Sequence, residues 1–357
     1  MKVALVLDNN IEFAPYIYSY CEILKKKYEK IDVIIWNRKA IKYINSSKEV
    51  FNVISISNNS ETKNKFKLAI NKYNFAKKAK KYILKNNYDR TIIFNEDIYL
   101  MFGNIKGLIL DNRDLKLIKE NKYIISKIFK NKIKKIESVI HASDAFKEYY
   151  EREYKYFNNY IFYNMPRELE KYLRNENIEK NINYEKRNSL TVGFIGVVRY
   201  KEQLKTLIKC IQNSNFDVKI AGDGKDLDDI LNYSKGLNKV TIEGRFSSDE
   251  TLDKYKDVDI IYCVYDNSNE NVKLALPNKL AYSILLEKPM IVSKGTYLET
   301  KVLEYGVGYS ADCTDSKDVL DKLNLIAENI NNIDFRESHR KFVEKIDLQR
   351  NIILDIL

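Results

Sequence analysis

Four short stretches, each at the end of an apolar run, carry residues that can hold a phosphorylated ligand. Gly196, Arg199 and Lys201 follow the run Thr191–Ile195. Two cations at i and i+2 beside a glycine can clamp a diphosphate, each charge-assisted hydrogen bond being worth about 1.5–3 kcal/mol. The same residues also suit a solvated strand-to-helix loop. Gly222, Asp223 and Gly224 end the run Phe216–Ile220, where glycine permits either a plain tight turn or close approach of a ligand. Gly244, Arg245 and Phe246 end a third run and offer an aromatic face and a cation, the makings of a wall for a nucleotide base. Pro277 and Asn278 precede Lys279–Leu286, which has the composition of a buried helix. A helix start presents unpaired N–H groups and a positive dipole end to phosphate. Pro289 stops that helix, and Met290–Val292 reads as a short buried strand.

Positioning these groups requires strands. The first half predicts them at Lys2–Leu7, Ile31–Ile35, Phe51–Ser57, Thr91–Phe94, Gly107–Leu110, Ser138–His141 and Tyr160–Tyr163. The second half predicts them at Thr191–Ile195, Phe216–Ile220, Lys239–Ile242, Ile260–Val264 and Met290–Val292. Helical patterns separate them, notably Thr62–Tyr88, Gln203–Gln212, Asp226–Tyr233, Ser248–Tyr255, Asp315–Asn331 and Phe335–Leu357. Alternation at this spacing predicts an α/β chain with parallel sheets, whose ligands bind outside the carboxyl ends of the strands. Polar residues gather at those ends in the first half: Asp8, Asn9, Asn37, Arg38, Glu96, Asp97, Arg113, Asp114, Ser143 and Asn164. Residues 167–189 are charged and asparagine-rich and read as a short helix followed by a linker. The expected organisation is therefore a first domain over 1–166, a second over 190–335 and a closing helix over 336–357.

Composition sets further bounds. A chain of 357 residues that is 45% hydrophobic fits two folded domains. Its four cysteines show no CxxC spacing and it has only two histidines, which argues for a reducing cytoplasm and against a metal site. Val3–Leu7 is too short for the apolar part of a secretion signal, and no apolar run has the length of a membrane span. The chain is expected to be soluble, or peripheral at the inner face of the membrane. Its net charge of +11 is uneven: residues 1–170 hold 33 basic and 20 acidic side chains, a balance of +13, and the rest carries −2. No acid lies between Glu61 and Asp89, where nine lysines alternate with Phe66, Leu68, Ile70, Tyr73, Phe75, Ile83 and Leu84. Such a helix fits an anionic membrane surface, or an ordinary helix with one core face and a lysine-coated solvent face. Nucleic acid is the rival anion, but no recognition motif for it is present.

The second half resembles the donor-sugar domain of glycosyltransferase family four. The resembling stretches are VGFIGVVRYKEQLKTLI (192–208), VKIAGDG (218–224), VTIEGRF (240–246), DIIYCVY (259–265), LPNKLAYSILLEKPMIVS (276–293) and YLETKVLEYGVGYS (297–310). The first half resembles, more loosely, the acceptor domain of bacterial polysaccharide and capsule members over IDVIIWNR (31–38), GLILDNRD (107–114), SVIHASDAF (138–146) and YIFYNMP (160–166). The resemblance implies a GT-B fold, two Rossmann-like domains with a cleft between them. It implies a nucleotide-sugar donor and a glycan or lipid-linked acceptor, with retaining chemistry that needs no metal or cofactor. Arg199 and Lys201 would then meet the donor diphosphate, Asn278 and Lys279 the phosphates or ribose, and Arg245 and Phe246 the base. Most members carry two glutamates where this chain has Leu274 and Tyr282. Both carboxylates are then absent, so either ribose is held differently, with Glu270 in the preceding loop as the nearest substitute, or the enzyme is weakened; Tyr282 also fits plain core. By position, Asp114, Glu96 and Asp97 are the candidate acids at the acceptor side, unless Asp111, Arg113 and Asp114 form an internal ion pair. The expected function is transfer of a sugar to a surface polysaccharide or lipid-linked glycan. A non-catalytic relative of these enzymes, or a sugar-nucleotide epimerase, is the alternative.

Overall fold

Runs dense in Val, Ile and Leu such as 3–7, 92–94 and 290–292, apolar on every residue, form strands buried on both faces, as the middle of a parallel sheet requires, while runs such as 52–57 and 216–221 alternate with polar residues. In a computed structural model, which describes residues 1–43, 50–57, 62, 64–103, 105–115, 123–174 and 189–357, they build two such sheets. Most of the expected linker, residues 175–188, lies outside the described residues. The chain divides into two units, Met1–Arg167 with Ile346–Leu357, and Glu168–Lys345.

The first unit holds β1 (Lys2–Leu7), β2 (Lys30–Trp36), β3 (Asn52–Ser57), β4 (Arg90–Phe94), β5 (Leu108–Asn112), β6 (Ser138–His141) and β7 (Asn159–Ile161). Their order is β3-β2-β1-β4-β5-β6-β7, all parallel. Helices α1 (Tyr16–Leu24), α2 (Lys65–Asn86), α3 (Glu96–Phe102), α4 (Tyr123–Ile133) and α5 (Asp144–Tyr154) accompany them. The order reverses between β1 and β4, so the right-handed crossover rule places α1 on one face and α2 to α5 on the other.

The second unit opens with α6 (Glu170–Leu173). It contains β8 (Leu190–Ile195), α7 (Lys201–Cys210), β9 (Phe216–Ala221), α8 (Leu227–Tyr233), β10 (Val240–Glu243), α9 (Thr251–Lys256) and β11 (Ile260–Cys263). It continues through α10 (Glu270–Leu274), α11 (Lys279–Leu285), β12 (Met290–Ser293), α12 (Tyr297–Tyr305), β13 (Gly308–Ala311) and α13 (Ser316–Asn329). The sheet order is β10-β9-β8-β11-β12-β13, with its own reversal between β8 and β11. The last helix, α14 (Phe335–Ile356), begins in the second unit and ends in the first. There the Gln349 side chain accepts from the Tyr163 amide at 3.0 Å, and Tyr28 donates to the Leu357 carbonyl.

Each unit has its own core. Leu5, Val33 and Ile92 pack with Ile17, Tyr20 and Ile353 in the first, and Phe194, Ile220 and Ile260 with Leu207 and Leu323 in the second. Each side chain so buried contributes about 1.5–3 kcal/mol. Three elements depart from the sequence expectation. Glu96 and Asp97 are not strand-end loop but the first turn of α3, entered through Asn95 at φ +80°. Glu270 opens the short α10 rather than standing in a loop, and α12 with β13 extends the second sheet by one strand.

His141 closes β6 fully buried, its Nε2 3.0 Å from Asn159 Oδ1 and its ring edge-on to Tyr150 at 4.5 Å. Burial pushes its pKa down to about 3, with Asn159 opposing and the charges of Lys147 and Arg113 adding to the drop. The unfolded chain therefore takes up this proton first as pH falls. The stability at stake is intact above about pH 6.5 and is lost towards about pH 3, at up to about 1.4 kcal/mol per pH unit. Between neutral and mildly acidic pH, chemical denaturation is expected to show a larger stability loss for the wild type than for His141→Gln; equal losses would contradict this account.

Candidate functional site

Three strand ends of the second unit are laced together through their glycines. Gly196 follows β8 at φ +132° and donates to the Ala221 carbonyl at 2.9 Å. Gly222 follows β9 at φ +144°, and a methyl group there would lie 1.8 Å from the Gly196 carbonyl oxygen. Its own amide reaches the carbonyls of Glu243 at 3.0 Å and Gly244 at 3.1 Å, which draws the end of β10 alongside. At Gly224 a methyl would fall 2.2 Å from the Val198 carbonyl. Val198 donates to Asp223 at 3.0 Å and accepts from Asp226 at 3.2 Å. These glycines thus serve close backbone approach as well as turning. The Asp223 carboxylate accepts from the Gly224 amide at 2.7 Å, locking the turn.

Lys279, the first residue of α11, reaches into this layer and is 7% exposed. Its ammonium donates to the Ile195 carbonyl and to the Tyr255 hydroxyl, the latter at 3.2 Å. It lies 3.4 Å from where a side chain at Gly196 would begin, so glycine leaves that flank uncovered. Burial lowers the lysine's pKa, Cys263 opposes the shift, and the nearby charge of Arg199 lowers it further. Among the described residues no carboxylate pairs with it. A buried cation held only by neutral acceptors has not recovered its lost hydration, and an anion at the open flank would supply what is missing.

Tyr282, one turn along α11, is buried, with its ring stacked on Tyr255 at 3.9 Å and 14°. Its hydroxyl donates to the carboxylate of Glu168. Burial and that bond both raise its pKa. The side chains form a continuous series: Glu168 holds Tyr282, Tyr282 clamps Tyr255, and the Tyr255 hydroxyl steadies Lys279. Tyr282 is thus core and also a support for the lysine. Neither Glu168 nor Tyr255 was legible as part of a site, since one sits in a run of charges and the other fits a helix's core face.

The other expected residues divide. Arg199 is exposed, its guanidinium 5.3 Å from the ring of Tyr200, which stacks on Tyr265 at 4.6 Å. Lys201 turns towards α8, where Asp229 takes its ammonium at 2.9 Å and raises its pKa. Arg245 is exposed and Phe246 half-buried, just past the Gly244 carbonyl that meets Gly222. Asn278 caps α11 without a side-chain cap bond, and α11 itself is only seven residues long. Glu270 is exposed at the head of α10, paired with Lys273 at 2.8 Å, and Leu274 ends that helix half-buried.

In the first unit, Asp114 is exposed at the end of β5, beyond a buried pair of Asp111 and Arg113. Arg113 also donates to the Phe162 carbonyl and to Asn164, each at 2.8 Å. Burial raises the pKa of Asp111 while Arg113 pulls it down. The internal ion pair is therefore Asp111 with Arg113. Glu96 is wholly buried and accepts from the Tyr150 hydroxyl at 2.6 Å, a core contact out of reach of any ligand in solvent. Asp97 shares Lys72 with Asp8, which lies 2.7 Å from that ammonium.

No family model matches the sequence, and no curated protein matches it. Solved structures do. The chain is similar to a sucrose-phosphate synthase from Thermosynechococcus elongatus, with TM-score 0.73 and 13% identity over 99% of this chain and 97% of that one. It is similar to HepE from Anabaena, solved with UDP, at TM-score 0.69 and 12% identity over 99% of both chains. It is similar also to the lipopolysaccharide outer core galactosyltransferase WaaB, at TM-score 0.64 and 12% identity over 99% of both chains. The fold is the α/β GT-B fold of these glycosyltransferases.

Gly222→Ala should disrupt the lacing directly, because the Gly196 carbonyl occupies the space a methyl needs. The expected cost is about 1–3 kcal/mol or more, read as a lower melting temperature of the second unit. Gly236→Ala, at a positive φ with nothing near its Cβ position, is the control for backbone strain alone. A Gly222→Ala protein no less stable than that control would refute the packing role.

Proposed function

We propose that the chain is a glycosyltransferase that moves a sugar from a nucleotide-sugar donor to a surface polysaccharide or a lipid-linked glycan, as bacterial polysaccharide and capsule enzymes of this fold do. The observation that carries the reading is Lys279: a buried ammonium with no counter-ion among the described residues, beside a glycine turn, at the carboxyl ends of parallel strands. Similarity of the whole chain to glycosyltransferase structures, one of them holding UDP, supports it.

In this reading Lys279 and Arg199 receive the donor diphosphate. As the bond from the sugar's anomeric carbon to the diphosphate oxygen breaks, negative charge grows on that oxygen. Cations held at the strand ends stabilise it, Lys279 from a buried position, which is preorganised electrostatics. The acceptor hydroxyl oxygen forms the new bond to the same carbon, and its proton passes to the departing diphosphate oxygen. The two cations supply that stabilisation without a metal, and the reading is of a metal-independent, retaining enzyme. Lys201 joins them by leaving Asp229, because exposed ion pairs contribute little. The glycine turns at Gly222, Asp223 and Gly224 present backbone to the phosphates, Asn278 adds its polar side chain, and Arg245 and Phe246 flank the base. The family's ribose carboxylates being absent, ribose is left to Tyr282, Glu168 or Glu270. Asp114 is the acid at the acceptor side. The lysine-rich first half draws the enzyme to the anionic inner face of a membrane, where lipid-linked acceptors lie.

Replacement of both family glutamates by Leu274 and Tyr282 favours, as a second reading, a nucleotide-sugar-binding partner without turnover. Nucleoside diphosphates screened for thermal stabilisation, followed by donor hydrolysis and transfer assays, separate the two. Stabilisation by a nucleotide with no turnover of any donor favours the partner, and no stabilisation by any nucleotide rejects both.

Two further outcomes are specific to the lysine. Lys279→Met should abolish nucleotide stabilisation while leaving the melting temperature unchanged or higher, since it removes a buried, unpaired charge. Binding a diphosphate should also restore the lysine's lowered pKa, so the wild type takes up protons on binding at alkaline pH and its affinity falls as pH rises. Calorimetry in buffers of different ionisation enthalpy measures this uptake, and its persistence in Lys279→Met would assign it elsewhere.

A further inference from the structure

Helix α2 is 22 residues long and uses one side only for the core. Phe75, Ala76, Ala79 and Ile83 are buried, with Phe75 stacked on Trp36 at 6.1 Å, and Lys72 turns inward to Asp8 and Asp97. On the other side Phe66 is 77% exposed, Leu84 58%, Tyr73 52% and Ile70 45%. At 3.6 residues per turn these four fall within an arc of about 60°, well round the helix from the buried residues. Such a stripe departs from an ordinary solvent face, which the sequence left as an alternative for this helix.

The stripe sits in a field of one sign. Lys77 lies within it, and Lys67, Lys78, Lys81 and Lys85 run along one border, all exposed. No acid occurs from residue 62 to residue 88. The pattern extends to the neighbouring helices on the same sheet face. Helix α2 packs on α3, and α3 is tied to α4 by the Tyr99 hydroxyl on the Lys132 carbonyl at 2.8 Å. On α4, Ile125 and Ile128 are 40% and 48% exposed beside Lys127 and Lys130. Nucleic acid would use the cations but not the aliphatic groups. A bilayer with anionic headgroups uses both, the apolar groups entering the acyl boundary and the lysines lying among phosphates.

We propose that the outer face of α2 is a membrane-docking surface that inserts Phe66, Ile70, Tyr73 and Leu84 into an anionic bilayer, with the flanking lysines setting its lipid preference. This deepens and rests on the membrane reading above: attraction of the basic half becomes shallow insertion by named residues. The one tryptophan, Trp36, is buried, so a second indole placed on the stripe reports its own surroundings.

The test uses the full-length chain with phosphatidylcholine vesicles, with and without phosphatidylglycerol. Phe66→Trp should bind the anionic vesicles with a blue-shifted emission and be quenched by brominated acyl chains. Replacing Phe66, Ile70, Tyr73 and Leu84 together by Ser should weaken binding more than about tenfold without lowering the melting temperature. Lys77, Lys78, Lys81 and Lys85 changed to Glu should remove the preference for phosphatidylglycerol. Binding of Phe66→Trp without spectral shift or quenching overturns insertion and leaves electrostatic attraction standing. Absence of binding to anionic vesicles overturns both. Concentration-dependent self-association abolished by the serine variant, without vesicle binding, would make the stripe a contact between copies and overturn the proposal.

Discussion

Everything near Lys279 depends on two backbones passing closer than side chains allow. The Gly196 carbonyl lies where a Cβ of Gly222 would be, and the Val198 carbonyl where one of Gly224 would be. Because neither glycine has that atom, the turns after β8 and β9 stack directly, and the end of β10 joins them through the Gly222 amide. The Ile195 carbonyl that accepts from Lys279 is the last group of β8. Its direction is therefore set by the strand on one side and the stacked turn on the other. A wider turn would leave the ammonium without a fixed acceptor in a place too dry for water to replace it.

That constraint makes the lysine costly in the unliganded protein, and several neighbours share in holding it. The rings of Phe194 and Tyr255 lie 5.4 and 5.8 Å from its ammonium and stabilise a cation without neutralising it. Arg199 acts in the opposite sense, adding repulsion. Two cations kept in range of each other raise the energy of the empty site and are both relieved by one anion. Stability given up locally in this way is characteristic of sites built for charged ligands.

The architecture was legible because it rests on patterns that sequence carries directly. Strands buried on both faces, such as β1, β4 and β12, read as continuous apolar runs, β9 reads by its alternation, and the glycine turns stood where the strand patterns stopped. Elements defined by few residues were not legible. Helices α3 and α10 are short and begin at Asn95 and Asn269, which serve equally well in loops. Within the site, Gly196, Gly222, Gly224 and Lys279 come together as their positions at strand and helix ends suggested, since topology alone fixes those ends. Side-chain direction is a different matter. Arg199 and Lys201 are two residues apart, yet one lies over the ring of Tyr200 and the other turns to Asp229 on α8. The importance of Glu168 comes from a contact across 114 positions of sequence, for which its own surroundings give no sign.

Glu168 also bears on why α11 can present a bare cation at all. An acid at position 282, one turn along the helix from Lys279, would be placed to pair with it, and opposite charges about 4 Å apart attract by about 4 kcal/mol at an effective dielectric of 20. Such a pair would satisfy the lysine internally and weaken its pull on a ligand. With Tyr282 there instead, the carboxylate is still recruited, but it comes from Glu168 and stands behind the hydroxyl of a tyrosine that is itself stacked on another tyrosine. Two rings then separate negative from positive charge. The acid lends rigidity through hydrogen bonding while the ammonium keeps its unmet demand for an anion. The departure at position 282 therefore does not by itself imply a weakened site: under the proposed function it moves the acid from a place where it would compete with a phosphate to one behind the tyrosines that steady Lys279.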